Sequence, residues 1–124
     1  MIEGFEDFTG DVKDSELKVI NLIAKGLNNR VGEEHAITNR EARKMMYMNK
    51  GINISDPKFR KYIQYIRAYN LCPMLCSSGK GYWIAKSKEE FIKNRDRYAS
   101  RVRSMSFTLS CMFHYGIENN VINN

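Results

Sequence analysis

The stretch SDPKFRKYIQYIRAYNLCPMLCSSGKGYWIA, residues 55–85, predicts a helix followed directly by a β-hairpin. Ser55 is a good helix N-cap, and Pro57 suits an early helical position because its missing N–H would have no intrahelical partner there. We therefore expect a helix over residues 56–69. The run of strand and turn residues that comes next leaves little room for any other element.

The second part of this stretch predicts the hairpin. Residues 71–76 are typical of a strand, residues 77–81 of a glycine-rich turn, and residues 82–85 of the returning strand. Pro73 confines the first strand to a sheet edge or to its own first residues, because proline cannot donate to a ladder. Lys80 lies between two glycines, so we expect it to approach a phosphate or a minor groove closely.

The apolar and polar residues of the predicted third helix fall on opposite faces. The core face comprises Phe59, Tyr62, Ile63 and Ile66. The outer face is mostly polar and basic and comprises Lys58, Lys61, Gln64, Tyr65 and Ala68, with Arg60 and Arg67 at one flank. A merely solvated helix face is the alternative interpretation of these charges.

Two further helices and a short strand are predicted upstream. The first helix begins at Asp14 or Ser15, and its apolar face comprises Leu17, Ile20, Ile23, Ala24 and Leu27. The segment 35–37 predicts a short strand. Thr38 and Glu41 have the spacing of an S/T-x-x-E capping box, which begins a second helix. That helix ends at residues 49–51, and its apolar side comprises Ala42, Met45 and Met46.

A long last helix is predicted from Ser87 to about Tyr115, with Gly116 as its C-cap. At about 1.5 Å per residue it would be about 43 Å long, more than a small core can cover. Its apolar residues step by 4, 3, 4 and 3, which is heptad spacing: Tyr98, Val102, Met105, Leu109 and Met112. We predict a homodimer with paired last helices. The alternatives are that this helix folds back on the first helix or breaks near residues 104–106.

Composition narrows the function classes. The 124 residues carry a net charge of +6, although residues 1–19 hold six acids and only two bases. A basic body suits a polyanionic partner, because neutralising phosphates releases condensed counterions. The three cysteines cannot all pair, and with two histidines they lack the clustered spacing of a zinc site. We therefore expect reduced thiols, no metal and no cofactor.

Targeting and catalytic signals are missing from the sequence. It contains no apolar window long enough for a membrane span, and its acidic first residues do not resemble a secretion signal. We expect a cytoplasmic protein of a bacterial or phage-infected cell, with no membrane partner. Because the sequence also has no nucleophile–base pair and no phosphate-cradling G-x-x-x-x-G-K-[ST] loop, we do not expect an enzyme.

Two runs resemble the winged helix-turn-helix family, including phage-encoded members and the DNA-binding domain of the biotin operon repressor. They are ITNREARKMM, residues 37–46, and ISDPKFRKYIQYIRAYNLCPMLCSSGKGYWIAKSKEEF, residues 54–91. The resemblance extends over residues 37–105. It implies an α+β, mostly α fold: a winged helix-turn-helix with a three-helix core, a small β-hairpin wing and a long C-terminal helix.

The resemblance also implies which residues contact DNA. Those that would contact backbone phosphates are Thr38, Asn39 and Arg40. Those that would face base edges are Lys58, Lys61, Gln64 and Tyr65, and those in the wing are Ser78 and Lys80. The chain departs from the family pattern at Tyr65, an aromatic on the outer face that would also suit a protein interface. It departs again at Glu33 and Glu34, which would repel phosphates if they lay close to them.

The sequence thus predicts sequence-selective binding of double-stranded DNA, for transcription regulation or for a phage replication or genome-handling role. The alternative is a winged helix that binds a host protein, such as a phage-encoded inhibitor of a host polymerase or nuclease. The expected domains are an acidic flexible arm (1–13), a winged helix domain (14–86), the long C-terminal helix (87–116) and a tail (117–124).

Overall fold

The computed structural model describes residues 12–118. Within them lie four helices and a two-stranded antiparallel sheet, so the predicted α+β, mostly α class is confirmed. The elements are α1 (Asp14–Asn28), α2 (Asn39–Lys50), α3 (Asp56–Ala68), β1 (Leu75–Ser78), β2 (Gly81–Ile84) and α4 (Lys88–Glu118). Residues 1–11 of the expected acidic arm and residues 119–124 of the expected tail lie outside the described residues.

Side-chain caps determine where α2 and α3 begin. Thr38 Oγ1 accepts a hydrogen bond from the Glu41 N–H at 3.1 Å, and the Glu41 carboxylate accepts one from the Thr38 N–H at 3.1 Å. The predicted capping box is therefore confirmed. Ser55 Oγ accepts from the Lys58 N–H at 3.3 Å, and Pro57 lies in the first turn of α3, also as predicted.

The start of α1 differs from the prediction. The residue in front of the helix is Lys13, not Asp14 or Ser15, and its N–H donates to Glu16 Oε1 at 3.3 Å. A glutamate in the first turn thus does the capping that we assigned to an aspartate or serine. The inward face is confirmed, since α1 buries Ile20, Ile23, Ala24 and Leu27.

The main core is formed by α1, α3 and the segments on either side of them. Its buried members are Ile20, Ile23, Ala24, Leu27, Ile37, Ile54, Phe59, Tyr62, Ile63, Ile66, Cys72 and Leu75. None of the residues of α2, all of them described, is fully buried. Met45, which we expected on the inward side of α2, is 45% exposed. A second, smaller cluster comprises Cys76, Trp83 and Ala85, with Phe91 packed against it.

The strand predicted at residues 35–37 is wrong. Residues Glu33–His35 form a 3₁₀ turn, and the chain on either side of this turn meets β2 only at isolated bridges. One bridge joins Val31 to Ile84, and the other joins Ile37 to Tyr82. The first bridge is parallel and the second antiparallel, so the chain reverses its direction relative to β2 between them.

Gly81 is required where the segment before α2 approaches the hairpin. The Ile37 N–H donates to the Tyr82 carbonyl at 3.0 Å, and the Tyr82 N–H donates to the Ile37 carbonyl at 2.8 Å. Gly81 has a φ of +114°, and a Cβ added there would collide with the Ile37 carbonyl and the Thr38 nitrogen. The start of α2 is therefore directly adjacent to the hairpin.

The hairpin begins later than predicted. We expected its first strand over residues 71–76, but β1 starts at Leu75 because the preceding residues form a tight turn. Asn70 and Met74 have positive φ angles, 55° and 62°, on either side of that turn. Pro73 precedes the strand and so does not interrupt the ladder, in which Leu75 pairs with Ile84.

The described chain separates into two units between Phe91 and Ile92. The second unit, residues 92–118, is helical throughout, because α4 runs unbroken to Glu118. The alternative of a break near residues 104–106 is therefore wrong, and Gly116 lies inside the helix rather than at a C-cap. None of the helices within residues 12–118 combines the length and the apolar content that a membrane crossing needs.

Candidate nucleic-acid interface

The outer face of α3 is accessible. Lys58 and Gln64 are exposed and Lys61 is partly exposed, whereas Phe59 and Ile66 on the inner face have 0% exposure. The separation of faces that we predicted for this helix is therefore present. Within residues 12–91, α3 offers a surface on which basic and amide side chains occur together.

Lys58 lies at the edge of this face that borders α1. Its Nζ atom is 3.6 Å from Glu16 Oε2, and the same carboxylate accepts a hydrogen bond from the Tyr62 hydroxyl at 2.6 Å. The Tyr62 hydrogen bond, followed by smaller effects of the Lys13 N–H, Lys58 and Lys61, lowers the pKa of Glu16. The positive charge at this edge is thus opposed by a carboxylate that stays ionised well below neutral pH.

Tyr65 is not on the open face where we predicted it. It is half-buried and packs against the core, and its ring centroid lies 4.3 Å from that of Tyr69. Burial, followed by the neighbouring Tyr69, raises the pKa of its hydroxyl. The error arises because Tyr65 falls at the boundary of the two faces, where packing by neighbours decides burial.

Two arginines of α3 have roles that the sequence interpretation missed. Arg67 donates from Nη1 to the Leu75 carbonyl and from Nη2 to Ser77 Oγ, both at 3.0 Å. It therefore joins α3 to β1. Arg60 is exposed and forms an ion pair with Asp56 one turn earlier, at 3.1 Å. The four-residue spacing of this pair is visible in the sequence and could have predicted it.

The hairpin tip carries a cation whose charge is partly opposed. The Lys80 side chain is 72% exposed, and its Nζ lies 3.6 Å from Glu33 Oε1. Ser78 Oγ accepts a hydrogen bond from the Lys80 N–H at 3.1 Å, so this predicted wing residue stabilises the turn itself. Glu33 is thus close to the hairpin tip, whereas Glu34 pairs with Lys86, which follows the other end of β2.

The three residues predicted at the start of α2 are used in different ways. The Thr38 side chain is engaged in the helix cap. Asn39 Oδ1 accepts from Arg43 Nε at 2.6 Å, and its buried Nδ2 has no hydrogen-bond partner. Arg40 is exposed. Of these three, Arg40 is the one whose side chain extends into solvent.

Two sets of contacts join the three segments that carry these groups. Arg67 joins α3 to the hairpin, and the backbone hydrogen bonds between Ile37 and Tyr82 join the hairpin to the start of α2. Each of the three segments carries exposed cations. They include Arg40, Lys58, Arg60 and Lys80, and Lys61 is partly exposed.

Two of the three cysteines, Cys72 and Cys76, have the properties of core thiols. All three are unpaired, as we expected. Burial raises the pKa of Cys72 to about 11 and also raises that of Cys76, so both stay protonated at neutral pH. Among the described residues, 12–118, no group of three or more His, Cys, Asp or Glu side chains is arranged to hold a metal ion.

A groove between α1 and α2 was not predicted. It has a volume of about 510 Å³, and its lining includes Leu22, Gly26, Met45, Met46 and Asn49. Of the two methionines in this lining, Met45 is 45% exposed and Met46 is partly buried against the core. Comparison of the chain with protein-family models, with curated proteins and with solved structures finds no match.

Proposed function

We propose that this protein is a winged helix protein that binds double-stranded DNA, with α3 in the major groove. The observation that carries the proposal is the accessible face of α3, with Lys61 and Gln64 opposite a sealed inner face. A major groove about 12 Å wide admits one helix presented in this way. The order of helices and hairpin, and the pairing of the segment before α2 with β2, support a winged helix arrangement.

Each exposed group has a chemical role in this proposal. Gln64 suits an adenine edge and Lys61 a guanine edge, because these side chains match the donors and acceptors of those bases. Arg40 at the start of α2 and Lys80 at the hairpin tip contact phosphates on either side. Such contacts position the protein without reading sequence.

Several of the nine predicted contacts, Lys58, Thr38 and Tyr65 among them, change their role. Lys58 serves as a phosphate contact at the edge of α3, where it exchanges Glu16 for a phosphate. Thr38 and Tyr65 drop out of direct contact, because one caps α2 and the other packs against Tyr69. We further propose that two copies bind together, so that the preferred site is roughly palindromic with half-sites about one helical turn apart.

Selection from a library of random duplexes tests this function. The full chain is incubated with the library at low salt, and bound fragments are sequenced after several rounds. The proposal expects an enriched motif with two-fold symmetry and an affinity that falls steeply with added salt. Binding that shows no salt dependence, or no retention of any duplex, contradicts it.

One observation favours a second function, the binding of a host protein. On α2, Tyr47 is 61% exposed and Met48 is 70% exposed, beside the methionine-lined groove. Flexible, polarisable methionines suit protein-binding surfaces. This second function expects no duplex binding at low salt, together with a purified host protein whose affinity falls at least tenfold in Met48→Lys.

A further inference from the structure

The second half of α4 has an unusual surface. Residues 104–117, SMSFTLSCMFHYGI, contain no Lys, Arg, Asp or Glu. Six large side chains in this segment are each more than half exposed: Met105, Phe107, Leu109, Met112, Phe113 and Tyr115. A helix with so little charge around it is normally covered by another element.

We propose that α4 pairs with α4 of a second copy in antiparallel orientation, centred near residue 107. The proposal deepens the homodimer included in the proposed function and rests on that homodimer, but it does not require DNA binding. It names the surface, the partner and the orientation. The partner is a second copy because the exposed apolar stripe matches itself in side-chain size and in charge when the two helices run in opposite directions.

Side-chain size supports the antiparallel register. Centring the pair at residue 107 places Met105 opposite Leu109 of the second copy and Val102 opposite its Met112. Tyr98 then lies opposite Gly116, whose lack of a side chain leaves room for the large ring. Parallel pairing instead sets each residue opposite the same residue of the second copy. The two Tyr98 rings then crowd one layer, and the two Gly116 residues leave a gap in another.

Charge supports the same orientation. Residues 88–103 of α4 hold six basic and three acidic side chains, whereas residues 104–117 hold none of either kind. Parallel pairing would place two net-positive segments side by side. Antiparallel pairing centred at residue 107 instead sets residues 97–103 of each copy, with their three arginines, beside the uncharged residues 111–117 of the other copy, and it also opposes the two helix dipoles.

Two matched substitutions test the surface. Leu109 lies in the heptad stripe, while Phe107 lies on the far side of the helix and is 72% exposed. Sedimentation of the full chain is expected to give a dimer for the natural sequence and for Phe107→Glu. Leu109→Glu is expected to halve the apparent mass. A monomeric natural chain, or equal masses for the two variants, overturns the proposal.

Labels on two different copies test the orientation. In a Cys111→Ser background, one sample carries Ser100→Cys and the other His114→Cys, and energy transfer between copies is measured after mixing. Antiparallel pairing brings the mixed labels to the same height, whereas two Ser100 labels lie about 21 Å apart along the axis. The reverse pattern, with like labels close and mixed labels distant, overturns the antiparallel register.

The DNA-binding proposal can fail without affecting this result. Lys61→Ala is expected to keep the dimer mass and the label pattern while it weakens duplex binding. If the natural chain binds no duplex at all, the masses and the energy transfer still decide the pairing. A dimer that dissociates in Lys61→Ala would mean that α4 is not the pairing surface.

Discussion

Tyr62 of α3 donates a hydrogen bond from its hydroxyl to the Glu16 carboxylate of α1, at 2.6 Å, across 46 positions of sequence. Glu16 is partly exposed at 14% and also faces Lys58 at 3.6 Å. One carboxylate thus links a core tyrosine to a cation of the candidate interface. Because the bond joins a neutral donor to a charged acceptor, we expect it to contribute more to stability than an average hydrogen bond.

Removing the Tyr62 hydroxyl is expected to destabilise the fold. Tyr62→Phe keeps the ring in the core but deprives the Glu16 carboxylate of its best donor, and we expect a loss of about 1.5 kcal/mol in the free energy of unfolding. Urea denaturation at neutral pH measures it. Tyr47→Phe is the matched control, because Tyr47 is 61% exposed, and it should leave stability unchanged.

Stability is expected to fall in acid through the same carboxylate. The pKa of Glu16 is lower in the folded chain than its ordinary value, so its contribution is complete above the unfolded pKa and is lost as pH falls through the folded pKa. Unfolding free energies from about pH 6 to about pH 3 test this. Glu16→Gln should show a shallower decline. A decline equal to that of the natural chain would mean that other carboxyls account for it.

Gly81 is expected to tolerate no side chain. Gly81→Ala combines a φ of +114° with a collision against the Ile37 carbonyl, and we expect a loss of at least about 2 kcal/mol. Thermal unfolding monitored by circular dichroism measures the change. Gly79→Ala, at the same hairpin but with open space around the added Cβ, should change the melting temperature little. Equal effects of the two substitutions would contradict this reading of the contact.

Substitutions on α3 and at the hairpin are expected to affect DNA binding differently. Gln64→Ala should relax the preference at one base position by about 1–3 kcal/mol, because a base contact is lost. Lys80→Ala should weaken binding to all sequences alike and flatten the salt dependence by about one unit of slope. Gel shifts on the selected duplex and its single-base variants measure both. Lys18→Ala, on an exposed side of α1, serves as the control.

Glu33 is expected to restrain DNA binding. Its carboxylate lies 3.6 Å from Lys80 Nζ and would face the incoming phosphates. Glu33→Gln removes this negative charge while keeping the size of the side chain, so duplex affinity should rise severalfold at low salt and less at high salt. The Glu33→Gln and Lys80→Ala double variant should show no such gain if the effect acts through Lys80.

Local signals made the helices predictable. The Thr38–Glu41 box and the Ser55–Pro57 start each lie within a few residues, so the sequence alone determines them. The delayed start of β1 was not predictable in this way, since it depends on the positive φ angles of Asn70 and Met74. The 3₁₀ turn in place of a strand likewise depends on pairing with β2, which is distant in sequence.

The sequence predicted only the part of the candidate interface that depends on local spacing. Helical periodicity correctly separated the faces of α3, because it needs only the spacing of residues along one element. It could not reveal that Lys58 faces Glu16 or that Tyr65 packs beside Tyr69, since both depend on neighbours at the edge of the face. The contacts of Arg67 with Leu75 and Ser77 also depend on the fold.

Arg67 fixes the position of the hairpin relative to α3 in the free protein. Both of its terminal nitrogens are occupied by the hairpin, so one planar guanidinium group fixes the distance between α3 and β1. A preorganised surface loses little conformational entropy on association. In the proposed complex, a duplex whose groove and backbone match that distance would be bound without adjustment, and one of different width would be disfavoured whatever its base sequence.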